Sequence, residues 1–118
     1  MIEISVDSGH NLVTFKNTGH GTNATSDAAF RTVKRQYDTY GPVKLLIDWT
    51  EYDGIGDSAP RAAQRILEGA ELLERVAFVI DPKWEAEATF MMRLFGNTPV
   101  KHFKAHEADT AVAWLISG

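Results

Sequence analysis

The sequence predicts an α/β fold: a mixed, mostly parallel five-stranded sheet with four helices, in the order ββαβαβαβα. Three observations carry this. Residues 43–47 and 76–80 are nearly continuous apolar runs, as expected of strands covered on both faces. Ile2, Ile4 and Val6 alternate with Glu3, Ser5 and Asp7, the period of a strand with one wet face. Segments with helical spacing separate the later strands, which implies crossovers onto a parallel sheet.

Taken in order, residues 2–7 form the first strand. Ser8-Gly9-His10 signals a turn, and residues 11–16 return as the second strand of an antiparallel hairpin. Residues 18–25, TGHGTNAT, read as a loop. Ser26 is the expected N-cap of the first helix, with Asp27 against its positive end. Phe30, Val33, Tyr37 and Tyr40 form its apolar stripe, and Gly41-Pro42 stops it. The third strand, residues 43–49, is expected to end at Asp48. The second helix starts near Asp57-Ser58, tolerates Pro60 in its first turn and buries Ala59, Ala63, Ile66 and Ala70. Residues 75–81 are the most apolar strand and are placed centrally. The third helix, residues 83–95, carries Trp84, Ala88, Met91 and Phe95 on one stripe. Residues 100–104 suit a sheet edge, and the last helix, residues 107–116, turns Ala108, Val112 and Leu115 inward.

The chain has 118 residues and reads as one domain, residues 1–118, large enough to bury its own core. It has no cysteine, which excludes disulfides and thiolate chemistry. The net charge of −4 is spread without long runs, so neither nucleic acid nor an anionic membrane is the expected partner. No signal peptide or transmembrane segment is legible, and the expected location is cytoplasmic.

The run Glu74-Arg75-Val76-Ala77-Phe78-Val79-Ile80-Asp81-Pro82-Lys83-Trp84 resembles the middle of the SpoIIAA-like family of the STAS-related superfamily: a charged pair, an apolar strand, an Asp, then Lys-Trp opening a helix. Val43-Lys44-Leu45-Leu46-Ile47-Asp48 is similar to that family's strand ending in Asp. Lys101-His102-Phe103, Glu107 and Ala111-Val112-Ala113-Trp114-Leu115 resemble its closing strand and helix. The chain departs from the pattern at His106, where an acidic N-cap is usual, and in a longer Gly-rich loop. The resemblance implies an STAS-like fold and no enzyme activity, and no cofactor is expected. STAS relatives act through protein contact, phosphorylation or small ligands.

In open α/β sheets, ligands settle beyond the carboxyl ends of parallel strands. That rim is expected to gather Asp48, Trp49 and Tyr52 with Asp81, Lys83 and Trp84, and Met91 as adaptable lining, into a pocket for a small apolar or amphipathic ligand. The competing reading is that Trp84 and Met91 only fill the space between helix and sheet. Asp57-Ser58 lies where the resemblance to STAS antagonists implies a phosphorylated serine. The same residues are also ordinary N-cap chemistry.

Gly54-Ile55-Gly56-Asp57-Ser58-Ala59 matches G-x-G-x-x-A but comes too far after its strand, and in too late a unit, for a dinucleotide site. His10, His20, His102 and His106 lack metal-ligand spacing. The expected function is a non-enzymatic regulatory or interaction module that acts through the second-helix face around Ser58 or through dimerisation, with a homodimer or a protein partner as the expected assembly. The alternative is a binder of a small apolar or amphipathic ligand at the carboxyl ends of the third and fourth strands, and a small enzyme using Asp48 or Asp81 ranks last.

Overall fold

The structure is a computed structural model, and it describes residues 1–117. The elements are β1 (Ile2–Asp7), β2 (Leu12–Gly19), α1 (Asn23–Tyr40), β3 (Val43–Tyr52), α2 (Ala59–Gly69), β4 (Leu73–Ile80), α3 (Glu85–Leu94), β5 (Val100–Lys104) and α4 (Ala108–Ser117). The five strands form one sheet in the order β1-β2-β3-β4-β5. β1 pairs antiparallel with β2, and every later pair is parallel. Leu45 lies opposite Val76 and Asp48 opposite Val79, so β3 and β4 run side by side in one direction. β3 is the middle strand. β4 is interior, one position from the edge strand β5.

The two faces of the sheet carry separate cores. Val13, Phe15, Val43, Leu45, Trp49, Val76, Phe78 and Ile80 pack with Val33 of α1, with Ala88 and Met91 of α3 and with Phe95, which caps that helix. Ile66 of α2 packs against the same cluster. On the other face, Leu12, Leu46, Ala77, Val79 and Phe103 meet Ala111 and Leu115 of α4. Alternation along each strand sends successive side chains to opposite layers, which is why residues 45–47 and 76–80 read as apolar runs.

Several boundaries differ from those the sequence suggests. α1 begins three residues before Ser26. Thr22 is its N-cap, closing a capping box with Thr25: each residue's side-chain oxygen accepts from the other's backbone N–H, at 3.1 and 2.9 Å. Asp27 therefore lies past the first turn, and arginines hold it instead of the helix end. Asp48 does not end β3. The strand continues to Tyr52 because Thr18 and Gly19 of the longer β2 remain as partners for Glu51 and Tyr52. A register shift between Lys16 and Thr18 accompanies this extension.

Ser58 makes no N-cap hydrogen bond, since a short 3₁₀ turn, Gly56–Ser58, leads into α2 and points its hydroxyl backward. α2 buries Ala62 and Gly69 most deeply, while Ala59, Ala63, Ile66 and Ala70 are half-buried. In α4 Ala111 and Leu115 are buried and Val112 packs half-buried against the same cluster, whereas Ala108 is exposed.

Candidate functional site

An apolar cavity of about 130 Å³ lies between the sheet and the helices α1 and α2. Its floor is the sheet: Ile2 of β1, Phe15 and Asn17 of β2, and Leu45, Ile47 and Trp49 of β3. These β3 residues share a face because they sit two apart. Thr25, Ser26, Ala29, Phe30 and Val33 of α1 form one wall, and Ala62, Arg65, Ile66 and Gly69 of α2 the other. Ile55, Tyr52, Leu73, Met91 and Phe95 close the ends. Small residues on α2 bring it near α1. A Cβ added to Gly69 would lie 3.5 Å from the Phe30 ring.

One charged side chain, Arg65, lines the cavity. Its Nε donates to Asp27 Oδ1 at 2.9 Å, and its guanidinium lies 4.7 Å above the Phe30 ring centroid. Arg61 Nη1 donates to both Asp27 oxygens, at 3.1 and 3.0 Å. The hydrogen bond from Arg65, and then those from Arg61, hold the Asp27 carboxyl below the usual aspartate range.

The expected ligand residues divide into two groups. Trp49, Tyr52 and Met91 line the cavity. Asp48, Asp81, Lys83 and Trp84 do not. Asp48 faces the opposite layer from Ile47 and Trp49, and its Oδ1 accepts from the Thr50 backbone N–H and hydroxyl at 2.9 and 2.7 Å. Asp81 caps the turn after β4, accepting from the Lys83 N–H at 3.1 Å. Lys83 is exposed, with its ammonium 5.5 Å from the Trp84 ring centroid. The pocket thus lies under α1 and α2 and touches the β3 rim only at its end.

Trp84 belongs to a row of aromatic rings running inward from that rim. Trp84 and Tyr52 meet at 5.0 Å, Tyr52 stacks on Trp49 at 4.4 Å and 15°, and Trp49 meets Phe78 edge-on at 5.1 Å. Such contacts contribute roughly 0.5–1.5 kcal/mol each beyond area burial. The Trp84 indole N–H is buried without a protein acceptor. Burial, chiefly, raises the pKa of the Tyr52 phenol, and the neighbouring Glu87 carboxylate adds to the effect.

Ser58 is buried, and its hydroxyl faces the Ile55 carbonyl at 2.6 Å and the Gly21 carbonyl at 3.0 Å. The histidines are dispersed; His10 pairs with Asp7 at 2.8 Å. Among the described residues, no three His, Asp or Glu side chains converge as a metal site. No helix among them is long and apolar enough to cross a membrane.

Arg65, Asp27 and the α1 wall escaped the sequence reading of the site. The available signal was the four-residue spacing of Arg61 and Arg65 beside Ala62 and Gly69. That spacing puts two guanidiniums on one helix face with small residues next to it.

Comparison with known proteins agrees with this architecture. An uncharacterized protein of the DUF3478 family from Shewanella loihica PV-4, with a SpoIIAA-like fold, superposes with a TM-score of 0.75 at 23% identity. The match covers 98% of this chain and 92% of that one. No curated protein matches. The SpoIIAA-like family model matches residues 12–116, from β2 into α4, so it takes in all the parallel strands and every helix that walls the cavity. The chain belongs to the SpoIIAA-like family.

Proposed function

We propose that this domain is a non-enzymatic binding module for a small apolar or amphipathic ligand held between the sheet and α1 and α2. The observation that carries the reading is the cavity itself: about 130 Å³, with mostly apolar walls from β1, β2, β3 and two helices. A cavity of about 150 Å³ lined by Leu, Ile and Phe is enough to admit benzene. The absence of acidic side chains from the lining suits binding rather than proton transfer. Toluene tests this directly. Saturable methyl shifts at Ala29, Val33 and Ile47 are expected on its addition, and Ala29→Leu, which fills the space, should remove them. A wild-type spectrum unchanged at toluene saturation refutes the reading.

A second reading, a protein partner or a homodimer, is supported by Leu67 on α2 and Phe90 on α3, each 61% exposed. It predicts a dimer by native mass spectrometry that Leu67→Glu and Phe90→Glu together dissolve. A monomer at every concentration counts against self-association.

A further inference from the structure

We infer that the cavity's ligand is a small organic carboxylate and that Arg65 receives its acid group. This deepens the binding reading above and rests on the cavity being a ligand site.

The argument starts from the donors of Arg65. A guanidinium carries five N–H donors. The Nε–H is engaged by Asp27 Oδ1 at 2.9 Å. The Nη1 atom lies 3.7 Å from Glu68 Oε1, an ion-pair distance too long for a hydrogen bond. Glu68 is 45% exposed, and ion pairs open to solvent contribute little. The outer fork of Arg65 is therefore open to a bidentate partner, the geometry that carboxylates match.

Its surroundings keep that fork in place. Asp27 is anchored independently by Arg61, whose Nη1 reaches both of its oxygens, and Phe30 lies beneath the guanidinium. Arg61 does not line the cavity, so the two arginines divide the work: Arg61 secures Asp27, Asp27 orients Arg65, and Arg65 faces the ligand. Asn17, Thr25 and Ser26 add neutral polar groups to the walls. No carboxylate is among the lining residues, so an ammonium headgroup would find no counterion there. The volume limits the apolar body to about one six-membered ring or a branched chain of that size.

Three probes of one shape separate the possibilities: phenylacetate, phenylacetamide and phenethylammonium, titrated against the full chain by ¹H–¹⁵N NMR. Phenylacetate should bind roughly tenfold tighter than the amide, and the ammonium weakest. Arg65→Gln should erase the preference for the acid while leaving toluene binding intact. Arg65→Lys, which keeps the charge but loses the fork, should retain part of it, and Lys101→Gln, on the far edge strand β5, should leave it within about twofold. An amide that binds as tightly as the acid, or a preference that survives Arg65→Gln, overturns the inference. Toluene binding without phenylacetate binding overturns it too but leaves the cavity reading standing. If neither probe binds, both fail. Should Arg65→Gln not fold, the wild-type series alone decides.

Discussion

The Tyr52 hydroxyl lies 3.4 Å from Glu87 Oε1, joining the last residue of β3 to the first turn of α3. The contact is long for an O–H···O bond, and burial raises the Glu87 pKa more than the Tyr52 hydrogen bond lowers it. A carboxyl whose native pKa is raised holds its proton more tightly when folded. The unfolded chain releases that proton first, so this group's contribution to stability falls as pH climbs from the ordinary glutamate range through the raised native value. The stability of Glu87→Gln relative to wild type in urea should rise as pH climbs through that window, and the substitution should cost nothing at neutral pH. Tyr52→Phe should cost only about 0.5 kcal/mol, the low end for a hydrogen bond. A variant that loses ground to wild type as pH rises through that window would show that the carboxylate is stabilised instead.

Asp27 has the opposite sign. Its native pKa is lowered by Arg65 first and Arg61 second, so its contribution is present above the ordinary aspartate range and is lost as pH falls through the native value. Asp27→Asn should lower the melting temperature at neutral pH and converge on wild type in acid. Parallel melting curves across the whole range would mean that the two arginines do not depend on this charge.

Asn11 is the hinge between the first hairpin and the parallel sheet. It holds a left-handed φ of 50°. Its amide nitrogen donates to the Gly41 and Pro42 carbonyls at 3.0 and 2.8 Å, and its amide oxygen accepts from Gln36 Nε2 at 3.3 Å. Asn11→Ala loses these bonds and strains the backbone, for a cost of about 3 kcal/mol. Asn11→Gly keeps the backbone at ease and should cost less. Equal losses in chemical denaturation would assign the whole effect to the hydrogen bonds.

Ser58 ties the start of α2 to the loop before α1 through the Gly21 carbonyl. Ser58→Ala should cost about 1 kcal/mol. Ser58→Asp sets a charge against two carbonyl oxygens in a buried place and should cost roughly 3 kcal/mol. If Ser58→Asp is as stable as wild type, the turn opens readily, and the serine is accessible to a kinase.

The fold was legible because residues 76–80 are apolar at every position and residues 43–47 at all but Lys44, a pattern that two covered faces demand. The end of β3 was not, because Asp48 looks like a stop. It is an outward-facing residue between inward-facing Ile47 and Trp49, satisfied locally by Thr50. Trp49 and Tyr52 were legible as rim residues because a strand carries them there, and Met91 because it shares one stripe of α3 with Ala88. The cavity's other walls come from segments as distant as Ile2 and Gly69. No periodicity in one segment reveals a space that exists only between two packed helices and a sheet.

β1 has a neighbour on one side only, yet Ile2 belongs to the cavity floor. Peripheral strands are the first to fray in local unfolding. The easiest way in from bulk water is therefore at the sheet's margin, with both helices left docked. Amide hydrogens of residues 2–7 should exchange earliest among the strands, and at a rate that sets how fast a guest trades places with solvent.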